Sequence, residues 1–98
     1  PSMYIKIHKV PTGYIIAVAD EDLLGKTLED ERYCVKVSEH FYKGEKKEAE
    51  AILSLLKGAT NVNLIGEEAV AIGIKAGLIE QEHIIRIAGV PHAQVYVS

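Results

Sequence analysis

The spacing of apolar residues changes near Gly44, and this change indicates strands before it and a helix after it. Apolar and polar residues alternate from Met3 to His8, which is typical of a half-buried strand. After Gly44, apolar residues recur at helical spacing, at Ala49, Ile52, Leu53 and Leu56. Gly58 follows this stretch, so we expect an amphipathic helix of about 12–13 residues.

Two further strands are predicted in the first half of the chain. Residues 10–13 have the composition of a turn, and the apolar run 14–19 follows them, which predicts a hairpin with the first strand. Residues 33–37 alternate again and predict a third strand.

The second half of the chain contains signals for one more helix. Gly66 and two glutamates begin it, and Gly77 ends it. Gly73 inside the helix predicts close packing against a neighbour, because glycine there otherwise costs about 1 kcal/mol. Residues 60–65 fit either a short strand or the approach to this helix.

Two strands are predicted at the end of the chain, at residues 84–88 and 94–97, with a loop over Gly89–Ala93 between them. The expected fold is therefore α+β: one small domain over residues 3–98 with about five strands and two helices packed on one face. The strands are two in an N-terminal hairpin, a third, and two at the C-terminus. Pro1 and Ser2 precede the only methionine and are interpreted as an addition outside the fold.

Charge and hydropathy restrict the classes of partner. The net charge is −3, and residues 48–98 carry all of it, so the neutral first half is the better place to look for a partner. Net charge gives nucleic-acid binding no support. No apolar run approaches the roughly 20 residues that cross a bilayer, so no membrane partner is expected. The single cysteine, Cys34, fits a reducing compartment, and we expect a cytoplasmic protein.

The predicted loop around His92 is the first candidate site. An imidazole held between Gly89 and Gln94 has the chemistry of a general base, and Asp20, Asp22 or Glu67 are candidate partners for it. This arrangement predicts a small hydrolase or lyase. The alternative is that the His92 ring bonds to backbone groups and only fixes the loop.

Other chemistries have weaker signals. The four histidines lack metal-ligand spacing, and acidic residues stand where a phosphate loop before Gly25-Lys26-Thr27 needs glycine. Cys34 has no histidine near it in sequence and is interpreted as a structural thiol. We therefore expect no metal and no cofactor.

The second candidate site is a surface. Basic and aromatic residues are interleaved on the first and third strands and in the segment after them, a pattern that can contact RNA, although any solvated sheet face can show it. We expect a non-catalytic module that binds RNA, a ribonucleoprotein or a protein partner. A homodimer through an edge strand is a further option. The predicted contacts are Tyr4, Lys6, His8, Lys36, Lys43, Pro91, His92 and Gln94.

Several segments resemble a known archaeal family of small proteins, labelled domain of unknown function 424. They are Met3–His8, Asp20–Thr27, Phe41–Gly44, Ala59–Glu67 and Ile87–Gln94, and the last reads Ile-Ala-Gly-Val-Pro-His-Ala-Gln. The resemblance covers residues 3–97 in order and implies a small archaeal cytosolic α/β domain. It implies no activity and no catalytic residues.

Overall fold

The computed structural model describes residues 1–96. Val97, the predicted end of the last strand, and Ser98 lie outside the described residues. The strands are β1 Ser2–Val10, β2 Gly13–Asp20, β3 Thr27–Glu29, β4 Cys34–Lys36, β5 Glu45–Glu48, β6 Asn61–Ile65, β7 Ile84–Ile87 and β8 Val90–Tyr96. The α-helices are α1 Glu39–Tyr42, α2 Ala49–Leu56 and α3 Glu67–Lys75, and two 3₁₀ turns span Glu21–Leu23 and Gln81–His83.

Six strands form one mixed sheet in the order β5-β1-β2-β6-β8-β7. The predicted hairpin of β1 and β2 is confirmed, with Met3 opposite Asp20 and Val10 opposite Gly13. The segment that fitted either a strand or a helix approach is β6, which pairs parallel with β2. The other neighbours in this sheet are antiparallel.

Helices α2 and α3 pack on one side of the sheet, which we call the helix face. Their apolar residues meet alternate residues of β1, β2 and β6 in a core that includes Met3, Val18, Ile52, Leu64 and Val70. Both helices were predicted, but α2 is eight residues long. A helix of about 12–13 residues ending before Gly58 would include residues 45–48, but these form β5 because they pair with β1.

The other side of the sheet, the small-sheet face, is also covered. Strands β3 and β4 form a two-stranded sheet, which packs with α1 on a second core that includes Ala17, Ala19, Leu28, Val37 and Ile65. The α+β class is thus confirmed, but the predicted numbers of about five strands and two helices are wrong, since residues 1–96 contain eight strands and three α-helices. Strands of three or four residues, such as β3 and the charged β5, show too little alternation to be found from sequence.

The predicted loop at Gly89–Ala93 is wrong. Residues from Val90 onward belong to β8, and the turn consists of Ala88 and Gly89, both with positive φ (52° and 84°). Pro91 is tolerated in the strand because the pairing of β8 with β6 begins at His92. The Pro91 carbonyl instead accepts a hydrogen bond from Gly66 N–H at 2.9 Å.

None of the helices within residues 1–96 has the length and hydropathy needed to cross a membrane.

Candidate nucleic-acid interface

Side chains of four adjacent strands stand in three parallel rows on the small-sheet face. Alternate residues of a strand share a face, and residues opposite each other on paired strands share it too. One row contains Tyr4, Ala19, Ile65 and His92, and the next contains Lys6, Ala17, Asn63 and Gln94. The third, which we call the open row, contains His8, Ile15, Asn61 and Tyr96.

The strand pairings give the order within the open row. His8 lies opposite Ile15, and Asn61 lies opposite Tyr96. The ladder between β2 and β6 begins with Ile16 and Val62, so Ile15 and Asn61 adjoin at its start. Residues from both ends of the sequence therefore lie in one row.

The first of the three rows is not available to a ligand of any size. Ala19 and Ile65 are completely buried under the small sheet. At the end of this row, the Lys46 ammonium lies 5.8 Å from the centre of the Tyr4 ring and pairs with Glu21 at 2.8 Å. That ion pair lowers the pKa of Glu21 and raises the pKa of Lys46.

Two of the predicted RNA contacts hold α1 against the sheet. Lys6 Nζ donates to the His40 carbonyl at 2.7 Å, and His8 Nε2 lies 2.7 Å from the Phe41 carbonyl. Carbonyls at the end of a helix lack partners within it, so cationic and N–H donors stabilise them. The His8 and Phe41 rings also stack, with centroids 4.7 Å apart and 18° between their planes.

Tyr42 connects α1 to the second of the three rows, the one that contains Asn63. Its side chain is buried, and its hydroxyl donates to Asn63 Oδ1. Burial raises the pKa of Tyr42 to about 12. This bond fixes the orientation of the Asn63 amide beside Gln94, its opposite on β8.

The remaining surface of this face is polar and aromatic. Tyr96 is 59% exposed and Gln94 is exposed, while Asn61 and His8 are half-buried. Three strand spacings separate His8 from Tyr96, about 14 Å at 4.7–4.9 Å for each spacing. The open row thus has an aromatic ring at each end with an amide between them.

Tyr96 was not among the predicted contacts. Its position was visible in the sequence, since Tyr96 alternates with Val95 and so shares a side with Gln94 and His92. The misplaced loop at Gly89–Ala93 hid this continuity, because it separated His92 from the strand that contains Tyr96.

Three predicted contacts lie outside all three rows. Lys36 is exposed on β4, opposite Thr27. Lys43 follows α1 and is exposed, with its Nζ 3.9 Å from Glu39. Pro91 is buried and, one residue from His92 along β8, points to the helix face.

His92, the candidate general base, lies within β8 and is half-buried. Its Nδ1 is 2.9 Å from the Leu64 carbonyl. Asp20 lies on the other side of the sheet, where its carboxylate accepts the backbone N–H groups of Glu68 (3.1 Å) and Ala69 (2.8 Å) at the start of α3. Burial raises the pKa of Asp20 despite these two bonds, and the nearby charges of Asp22 and Glu68 raise it further.

The other two carboxylates proposed as partners of His92, those of Glu67 and Asp22, both among the described residues, form no hydrogen bond with it either. Glu67 pairs with Arg86 at 3.2 Å, and Asp22 is exposed beside Asp20 near the chain start. Among residues 1–96, no hydrogen bond joins His92 to a carboxylate. A general base and its acidic partner are therefore not assembled in this structure.

Metal ligands do not converge in the part of the chain that the structure describes: it contains no group of three or more His, Cys, Asp or Glu suited to an ion. Cys34 is exposed on β4 and has no disulfide.

Comparison with known proteins identifies a family whose function is unknown. No curated protein matches the chain. A crystal structure of an uncharacterized conserved protein from the archaeon Methanopyrus kandleri superimposes with a TM-score of 0.81 and 30% identity, covering 99% of this chain and 92% of that one. The model of the family described as "Protein of unknown function (DUF424)" matches residues 8–97. The chain belongs to this family.

Proposed function

We propose that this protein is a non-catalytic module that binds single-stranded RNA on the small-sheet face, along the open row and Gln94. The observation that carries the proposal is the arrangement of His8, Asn61 and Tyr96 in one line across the sheet. Single-stranded bases stack on exposed aromatic rings and bond to side-chain amides through their edges.

Each position of the row has a chemical role in this proposal. Tyr96, with 59% of its surface exposed, offers a ring for one base. The stacked pair of His8 and Phe41 offers a second ring system at the other end. Asn61 lies between these rings in the open row, and Gln94 lies in the neighbouring row. Both side-chain amides donate and accept hydrogen bonds.

The charges around the row limit the strength of binding. Lys43 lies two residues after Phe41 and is exposed, whereas Lys6 already donates to a carbonyl of α1. Few phosphates are neutralised by so few cations, so the affinity is expected to be modest and to fall with salt by a shallow slope.

A titration with short RNA tests the proposal. Fluorescein-labelled oligouridine and oligoadenosine of about ten nucleotides are added at about 50 mM salt, and anisotropy is followed. Tyr96→Ala is expected to weaken binding about fivefold or more, because one stacked base contributes roughly 1–3 kcal/mol.

Tyr14→Ala is the matched control. Tyr14 is 57% exposed, nearly the same fraction as Tyr96, but belongs to the helix face. The proposal is contradicted if neither RNA binds at low salt, or if both variants weaken binding equally. In the first case a protein becomes the better candidate partner of this face.

A further inference from the structure

One edge of the six-stranded sheet is incomplete. Strand β5 pairs with β1 only from Ser2 to Ile5, although β1 continues to Val10 and pairs with β2 throughout. Within the described residues, the last part of β1 therefore has a strand on one side only. The chain leaves this edge at Gly44, which lies directly on the Ile5 carbonyl and the Lys6 backbone. A strand edge with unpaired backbone groups is a template for one more strand.

An apolar groove adjoins this open edge on the helix face. It consists of two hollows of about 450 and 550 Å³, and Ile7 and Leu55 line both of them. Tyr14 and the segment after α2 line the first hollow. Ile7 is 49% exposed and Leu55 is 40% exposed, so burying them would be favourable.

The charge at the rim of the groove is positive. Lys57 lines the first hollow, in which no carboxylate takes part. Lys9 points to the same side as Ile7, two residues along the strand. Within residues 1–96, neither of these lysines forms an ion pair. In the second hollow, Lys47 already pairs with Glu45 at 3.6 Å.

We propose that an extended acidic segment of a partner protein adds to β1 as a strand along Ile7–Val10. Its groove-facing apolar side chains would cover Ile7 and Leu55, and its carboxylates would lie beside Lys9 and Lys57. Main-chain bonds to the open edge provide affinity in such strand addition, and the pockets and charges provide specificity. The partner surface lies on the helix face, so it is separate from the open row and does not depend on RNA binding.

Synthetic peptides test this site directly. The probe is a capped peptide of about eight residues, with valine and threonine alternating at its centre and two glutamates at each end. Two matched peptides carry lysine or glutamine in place of the glutamates. Backbone amide shifts are followed by NMR, and we expect changes centred on Lys6–Val10 and at least tenfold tighter binding of the acidic peptide than of the lysine peptide.

Two variants and one control locate the site. Leu55→Asp and Lys57→Glu should each weaken binding of the acidic peptide about tenfold. Ile74→Asp adds the same charge at an apolar position of similar exposure (43%) on α3 and should leave binding unchanged. Circular dichroism of each variant confirms that it is folded.

Three results would overturn the proposal. The first is equal binding of the acidic and lysine peptides, and the second is no shift at millimolar peptide. The third is a dimer of the protein alone, detected by sedimentation and dissociated by Leu55→Asp, because a second copy would then occupy the edge.

Discussion

Gly66 lies against the carboxylate of Asp20 so closely that a Cβ at position 66 would occupy the space of the Asp20 side chain. The φ of Gly66 is 112°, in a region open to glycine, and its ψ is 159°. This backbone turns the end of β6 into α3 and brings the first N–H groups of α3 to Asp20, which accepts two of them. An aspartate from β2 thereby serves as the cap that α3 lacks in its own sequence.

Gly66→Ala is expected to reduce the free energy of unfolding by about 3 kcal/mol or more, because backbone strain and steric conflict with a buried group add together. Urea denaturation measures the change. Gly58→Ala is the control: Gly58 also has a positive φ, of 81°, but open space surrounds its Cβ position. That substitution should cost only the strain of about 1–2 kcal/mol. Equal losses in the two variants would mean that the contact with Asp20 contributes nothing.

Asp30 joins the small sheet to the hairpin of β7 and β8. Its carboxylate accepts the N–H of Ala88 at 2.8 Å, and those of Arg32 and Tyr33 at 2.9 Å each. These three bonds, that to Ala88 first, lower the pKa of Asp30 below its usual range. A lowered pKa stabilises the fold above the unfolded value of about 3.9, and this contribution is lost as the pH falls through the folded value.

Asp30→Asn should therefore be less stable than the wild type near neutral pH, and the difference should diminish as the pH falls below about 4. Urea midpoints at a series of pH values give the comparison. Glu31→Gln removes one charge from the next residue and controls for the change in net charge. A difference between Asp30→Asn and wild type that is constant with pH would contradict this account.

The contribution of Tyr42 to stability should depend on pH in the alkaline range. Its pKa is about 12 because it is buried, whereas an unfolded tyrosine ionises near 10. The neutral form is favoured in the fold, so this stabilising contribution is present below pH about 10 and is lost as the pH rises toward about 12.

Tyr42→Phe should lower stability by about 1 kcal/mol at neutral pH, through loss of the bond to Asn63, and should decline less between pH about 10 and 12 than the wild type. Tyr14→Phe changes an exposed tyrosine and should follow the wild type at every pH. If Tyr42→Phe and wild type decline in parallel, burial does not control the ionisation of Tyr42.

Periodicity predicted the long elements of this fold correctly, and it failed where contacts distant in sequence decide the structure. The hairpin of β1 and β2 and the helices α2 and α3 have patterns strong enough to identify, and the close packing predicted for Gly73 is present, against Leu64 and Ile79. The charged strand β5 has no pattern of its own and exists because β1 pairs with it. Its charged residues were therefore assigned to the helix that follows.

The candidate sites, too, could be predicted only in part from sequence periodicity. Alternation placed Lys6 and His8 on one side of β1 correctly, but it could not show that α1 would lie there and accept their hydrogen bonds. Asp20 and His92 were paired as acid and base on sequence, and only the residue pairing between the strands reveals that they lie on opposite faces. Reactive groups need a three-dimensional arrangement that no local pattern determines.

Ala88 is the one residue other than glycine with a positive φ, 52°, among the described residues. It forms the turn between Ile87 and Val90 together with Gly89, and two successive positive φ values are typical of a type I′ hairpin turn. Alanine in this conformation costs roughly 1–2 kcal/mol, whereas asparagine before glycine is the preferred pair for such a turn.

Ala88→Asn is therefore expected to raise the free energy of unfolding by about 0.5–1 kcal/mol, while the bond from the N–H of residue 88 to Asp30 is retained, since it belongs to the backbone. Ala88→Val is the companion variant, because a β-branched side chain at positive φ should instead lower stability. Urea denaturation at neutral pH ranks the three proteins. If alanine, asparagine and valine at position 88 give the same midpoint, the turn is not strained, and the hairpin of β7 and β8 depends on its side-chain contacts alone.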